Sequence, residues 1–308
     1  MARRPAHPPL PPFELPPART VVVPGRGEFF VRDTGLGNDN GDVACARNRD
    51  ADPARHGQPV LLLHGWMVTA DLNWCAAYGP LAQAGYRVLA LDHRGHGRGI
   101  RPMVPFRLAD CAADAAAVLR ALDAAPAIIV GYSMGGTIAQ LVARDHRDVA
   151  AGLVLSGTCQ HFQDPETRRV WKLMGLMGFM LGLAPRRVYR AGFKRSGIRP
   201  DEQTAWILSE LMRHQSRDVA EAGRELGRFD SRPWLASMAR LPTAMVLTGR
   251  DTAVAPAKQR ELADAIEAEV FQADIDHLDL IERADEYNPQ LLRALESVRT
   301  RVTAPAAA

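Results

Sequence analysis

Long apolar runs are missing from this chain. No stretch reaches the roughly 18 residues that would cross a bilayer, so a membrane-spanning helix is not expected. Cysteine is scarce: Cys45, Cys75, Cys111 and Cys159 are the four in 308 residues. None forms a C-x-x-C pair and none stands at metal-ligand spacing from a histidine, which argues against a metal site. Cys111 lies in an apolar helical run and reads as core. A reduced, cytoplasmic setting fits this usage best, with one disulfide left open. The formal charge is only +3, and no basic stripe is interleaved with stacking aromatics. A nucleic-acid partner is therefore not expected. The start reads Met1-Ala2-Arg3-Arg4 and runs Pro-rich to Pro17 without an apolar segment, so the arginine pair is not a secretion signal. Residues 1–18 are expected to form an extended or disordered arm.

What is present is apolar bulk. Hydrophobic residues make up 47%, enough for a large core. The length allows one large α/β domain or two ordinary ones.

The stretch Ile128-Ile129-Val130-Gly131-Tyr132-Ser133-Met134-Gly135-Gly136 organises the chain. It reads as a strand, a tight turn and the start of a helix, with a serine at the apex. Glycines at minus two and plus two give the G-x-S-x-G pattern of a nucleophile elbow. The demand is steric: strand and helix approach so closely that a side chain at Gly131 or Gly135 would collide. The helix that follows points its positive end at the site. The pattern alone is weak, because a Gly-rich turn with an ordinary serine has the same spacing. Its context carries the weight.

Around it, strand and helix alternate. Thr20–Val23 and Glu28–Arg32 look like an opening hairpin. Residues 35–58 form a polar, aperiodic loop. Pro59–Leu63, Tyr86–Leu91, the elbow strand and Ala151–Ser156 are apolar runs of strands buried on both faces. Helices are expected over Trp74–Gly85, Leu108–Ala124 and from the elbow to His146. This rhythm predicts a mostly parallel sheet flanked by helices, with function at the strand carboxyl ends.

Residues 160–235 break the rhythm. They offer helices but no convincing strand, and hold 14 Lys and Arg against 9 Asp and Glu. We expect a helical lid inserted between core segments 19–159 and 236–302, with a low-complexity tail at 303–308. Trp171, Met174, Met177, Phe179 and Met180 lie in an apolar stretch with alternating Met and Gly, which suits an adaptable acyl pocket as well as ordinary insert core. Its basic surroundings are compatible with peripheral membrane contact. After Thr243–Thr248 comes Gly249-Arg250-Asp251. A helix over Pro256–Ala268, a short strand at Glu269–Gln272, the loop Asp274–His277 and a closing helix over 281–301, interrupted at Asn288-Pro289, complete the chain.

A serine hydroxyl needs a base to take its proton, and the base needs a carboxylate to orient it. Asp251 and His277 each follow a strand and lie downstream of Ser133 in the order Ser, Asp, His. Separately, Asp251 could cap a turn and His277 could be a surface histidine. Order and placement together favour a triad. Two amides would hold an oxyanion: that of Met134 after the nucleophile, and that of Trp66 in the loop after Leu63, its indole facing the pocket.

Together the motifs Leu63-His64-Gly65-Trp66, Asp92-His93-Arg94-Gly95-His96-Gly97, Gly131–Gly136 and Gly249-Arg250-Asp251 with His277 make the chain resemble the α/β-hydrolase fold superfamily, in its lid-bearing serine esterase and lipase-like branch. The resemblance spans roughly residues 20 to 300. It implies that Ser133, Asp251 and His277 are the triad, that Trp66 and Met134 form the oxyanion hole, and that Asp92–Gly97 is a structural turn rather than a metal site. No cofactor is implied. Similar enzymes that open epoxides or remove halide use aspartate as nucleophile, which Ser133 argues against. The chain departs from the family at the base: Asp276-His277 stands where Gly-His is common. The extra carboxylate could stabilise the imidazolium or face water.

Hydrolysis of small-molecule or lipid esters is the function expected. Carbon–carbon bond hydrolysis or cofactor-free perhydrolysis on the same triad are alternatives, and a non-catalytic ligand-binding protein is the alternative of another class.

Overall fold

The computed structural model describes residues 11–35, 57–195, 201–238 and 240–303. The first ten residues of the expected arm, positions 36–56 of the polar loop and positions 304–308 of the tail lie outside them. A hairpin opens the chain, β1 (Ala18–Val23) and β2 (Gly27–Asp33). Then come β3 (Pro59–Leu63), α1 (Ala70–Gln83), β4 (Arg87–Leu91), α2 (Leu108–Ala121), β5 (Ala127–Tyr132), α3 (Met134–Asp145) and β6 (Ala150–Ser156). Among the described residues five helices follow without a named strand between them: α4 (Pro165–Lys172), α5 (Met174–Leu183), α6 (Pro185–Arg195), α7 (Glu202–Leu211) and α8 (Ser216–Arg228). The alternation resumes with β7 (Thr243–Thr248), α9 (Pro256–Ala265), β8 (Glu269–Ala273) and α10 (Ala284–Thr303).

The eight strands form one sheet in the order β1-β2-β4-β3-β5-β6-β7-β8. β1 pairs antiparallel with β2 and β2 with β4; every other pairing is parallel. The order reverses between β3 and β5, and the crevice at such a switch point is where an open α/β sheet places its ligands. The apolar runs follow from burial on both faces. Along β3, Leu61 and Leu63 pack with Leu119 and Ile138 on one side, while Val60 and Leu62 pack with Trp74 and Leu295 on the other.

α2 and α9 each end three residues earlier than expected, and two other helices differ more. α1 begins at Ala70 rather than near Trp74. The Thr69 hydroxyl accepts from the Leu72 amide at 3.1 Å, and Asp92 accepts from the Ala70 amide at 2.7 Å. Its first turn buries Asp71 and Asn73, so the polar start hides a buried face. α10 runs through Pro289 without interruption. Pro289 lies in its second turn and removes one backbone bond. Buried Tyr287 and Leu291 hold the turn, and the Asn288 amide donates to the Ala76 carbonyl at 2.7 Å.

The helical insert leaves and rejoins the sheet at one place. His161 and Asp230 form an isolated antiparallel bridge, and the Ser231 amide donates to the Gln160 carbonyl at 2.8 Å. A second tie is electrostatic. Glu210 of α7 is buried and accepts both terminal nitrogens of Arg98 at 2.8 Å, a bidentate geometry that fixes orientation as well as charge.

Candidate active site

Ser133 stands at the apex between β5 and α3 with φ 54° and ψ −117°. A non-glycine residue holds such backbone only where its surroundings enforce it. They do so through close approach. A Cβ on Gly131 would lie 2.3 Å from the Gly135 carbonyl oxygen, and one on Gly135 would lie 2.0 Å from that of Leu63. Only glycine fits at either position. The turn is closed by the Ser133 amide donating to Ser156 at 2.9 Å and by the Gly136 amide donating back to Ser133 at 2.9 Å.

β7 and β8 bring the partners. His277 Nε2 lies 3.0 Å from Ser133 Oγ, and its Nδ1 lies 2.7 Å from Asp251 Oδ2. With Nδ1–H donating to the carboxylate, Nε2 is free to accept the serine proton. Asp251 is buried and anchored. Its Oδ1 accepts from the amides of Ala253 at 2.9 Å and Val254 at 2.7 Å, and its Oδ2 accepts from Thr248 Oγ1 at 2.6 Å. Gln259 of α9 adds a longer bond at 3.2 Å. The departure at Asp276 has a structural explanation. Its Oδ1 accepts from the amides of Thr252 at 2.8 Å and His277 at 2.6 Å, so the carboxylate staples the loop after β7 to the base. Partial burial pushes this carboxyl up, but the Thr252 and His277 amides outweigh it and hold it below the usual range.

The loop after β3 lies against Ser133. A Cβ on Gly65 would touch that of Ser133 at 3.4 Å, and the Gly65 amide is fixed by Asn73 Oδ1 at 2.8 Å. The Trp66 indole donates to the Val219 carbonyl at 2.8 Å and packs edge-on against Trp171. It is thus taken up by the insert.

Beneath this loop four histidines cluster, His64, His93 and His96 fully buried and His214 half-buried. His64 and His93 rings lie 4.2 Å apart, and His96 lies 5.3 Å from His214. His64 Nε2 accepts from the His93 amide at 2.9 Å, which leaves Nδ1–H to donate to the Gly65 carbonyl at 2.7 Å. His214 Nδ1 likewise accepts from the Gly97 amide at 3.0 Å, leaving Nε2–H for the Met67 carbonyl at 3.1 Å. Both rings are neutral in this arrangement. Burial depresses all four, His93 to about 3 and His214 to about 4, with His64 and His96 well below the ordinary value. Among the described residues no group of three or more His, Cys, Asp or Glu is placed to hold a metal ion. Cys75, Cys111 and Cys159 are buried free thiols, Cys75 and Cys159 pushed up to about 12 by burial.

The five apolar insert residues divide. Trp171 and Met174 pack inward, Met174 against Gly223 of α8, and Met177 is half-buried beside Leu72 and Val219. Phe179 and Met180 do not join them: they are 66% and 42% exposed. Helical spacing from Met174 and Leu181 turns both to the outer face, so they do not line a pocket over Ser133. Tyr132, beside Ser133, is not among the residues that the sequence pattern singles out. Tyr132 donates its hydroxyl to the His277 carbonyl at 2.7 Å. Its place in the elbow was a usable signal; Gln259 and Asn73 had none.

Fold and site together define an enzyme of the hydrolase class. The family model described as alpha/beta hydrolase fold matches residues 58–284, and the chain belongs to that family. It is 28% identical over 209 residues to the AB hydrolase superfamily protein YisY of Bacillus subtilis, covering 65% of this chain and 76% of that one. It is 41% identical over 102 residues to a non-heme chloroperoxidase of Streptomyces lividans, but this spans only 33% of the chain and 37% of that enzyme. The enol-lactonase of Burkholderia xenovorans LB400 has the same fold, with a TM-score of 0.70 at 24% identity over 90% of this chain and 100% of that one.

Proposed function

We propose that the protein is a serine hydrolase that cleaves carboxylic esters of apolar or lipid-like acyl groups, with the helical insert as its lid. The observation that carries this is His277 within hydrogen-bond distance of both Ser133 and Asp251. His277 takes the proton of Ser133 as Oγ attacks the acyl carbonyl. The amides of Met134 and Trp66 receive the oxyanion, helped by the positive end of α3. The imidazolium returns the proton to the departing alcohol, leaving an acyl-serine. Water then attacks, His277 takes its proton, and Ser133 is regenerated with release of the acid. Trp171 and Met174 on the inner side of the insert support an apolar acyl group.

The test is a chain-length series of p-nitrophenyl esters with wild type beside Ser133→Ala. Faster turnover of long chains, abolished in the variant, is expected. Turnover of short esters alone removes the lipid-like assignment. Equal inertness of both proteins removes ester hydrolysis and directs the work to carbon–carbon substrates.

A further inference from the structure

We infer that the outer face of α5, with the helices on either side, docks the protein onto an anionic phospholipid bilayer. The face is apolar and open. Leu173, Leu176, Phe179 and Leu183 are 58%, 55%, 66% and 75% exposed, while Met174 and Leu181 on the opposite side are buried. Positions 173, 176, 180 and 183 form one stripe at helical spacing, with Phe179 beside it. One ten-residue helix thus covers the protein with one side and offers a hydrophobic ridge with the other.

The charge around the ridge selects its occupant. Residues 167–200 contain nine Lys and Arg and no Asp or Glu. α4 contributes Arg168, Arg169 and Lys172 before the ridge, and α6 five more cations after it. Among the described residues none of these eight is in an ion pair, although all are exposed. Other surface arginines behave differently: Arg120 pairs with Asp148, Arg217 with Glu221 and Arg299 with Glu296. A second copy of the chain would set two such cationic rims against each other, which like charge opposes. A bilayer with anionic headgroups meets both demands. The ridge enters the headgroup–acyl boundary and the cations stay at the surface.

The inner side of the same helix rests over the loop beside Ser133, through Met174 and Gly223 to Trp66. Docking therefore sets the cover of the site against the lipid. Binding itself does not depend on hydrolysis, so its test is separate from that of the function.

The test is flotation of the full chain with phosphatidylcholine vesicles, with and without roughly one third phosphatidylglycerol. Wild type should associate with the mixed vesicles at least about tenfold more than with phosphatidylcholine alone, and high salt should weaken this. Phe179→Ser with Leu183→Ser should lower association by about tenfold or more at unchanged melting temperature. Arg186→Glu with Arg190→Glu should do the same and weaken the salt dependence. Three outcomes overturn the inference: equal partition between the two vesicle types, full binding by the serine variant, or a dimer in equilibrium sedimentation that the serine variant abolishes. The last would assign the ridge to a second copy.

Discussion

The hydroxyl of Tyr132 donates to the backbone carbonyl of His277 at 2.7 Å, so the neighbour of Ser133 also holds the loop that carries His277. The rings stack at a tilt, 5.1 Å apart. Tyr132→Phe removes one buried hydrogen bond, worth about 1 kcal/mol, and loosens the base by a fraction of an ångström. We expect kcat on p-nitrophenyl acetate to fall about tenfold with KM nearly unchanged. A variant with wild-type kcat would show that the bond positions nothing.

Asp251→Asn keeps the volume and the acceptor for Ala253 and Val254, but cannot fix the tautomer of His277. A loss in kcat of about ten-thousandfold is expected, with a small change in melting temperature. Activity within tenfold of wild type would remove Asp251 from the triad.

Asp276 is expected to matter for stability first. Asp276→Ala loses the bonds to Thr252 and His277, costing on the order of 1 kcal/mol at this partly exposed site; Asp276→Asn keeps an acceptor and should lie between. Because the folded carboxyl is held below its unfolded value, its contribution is present above about pH 4 and disappears as pH falls through the folded value. Urea midpoints of the three proteins at neutral and acid pH decide this; equal midpoints would return Asp276 to a solvent-facing role.

The buried histidines set a different pH limit. Their folded values lie below about 6.5, so acid protonates the unfolded chain first. Stability should be full above that pH and fall below it, by on the order of a few kcal/mol per pH unit with four groups acting together. Asp92 opposes this. Burial raises it to about 6, so it gains protons in the folded state first and favours folding as pH drops. Burial also raises Asp114 and Asp218, but it lowers His146 and His161 as well, so the histidines remain the larger set. Urea midpoints between about pH 5 and 8 should slope downward towards acid; a flat profile would mean the rings are not neutral in the folded protein.

Legibility in the sequence followed burial. β3 and β7 match their expected limits residue for residue, because each is an apolar run closed on both faces. The elbow was legible because Gly131 and Gly135 have no room for a Cβ. Ser133, Asp251 and His277 were legible together because each follows a strand, at the carboxyl end of the sheet. The start of α1 was not, since Asp71 and Asn73 are polar yet buried. Asp276 was ambiguous for a similar reason: an exposed acid and an acid satisfied by two amides have the same letter. Phe179 and Met180 misled because a helix apolar all round does not say which side faces in.

The bridge between His161 and Asp230 has a consequence for making new proteins from this one. Chain leaves and returns at adjacent points, so the span between them is a cassette whose ends already match. Ser133, Asp251 and His277 all lie outside it. A foreign helical segment with similarly spaced ends could be grafted there without breaking the sheet, provided it again offers a carboxylate to Arg98 and an acceptor to the Trp66 indole. If the insert is the lid proposed above, chemistry and choice of substrate would then be exchangeable parts, engineered one at a time.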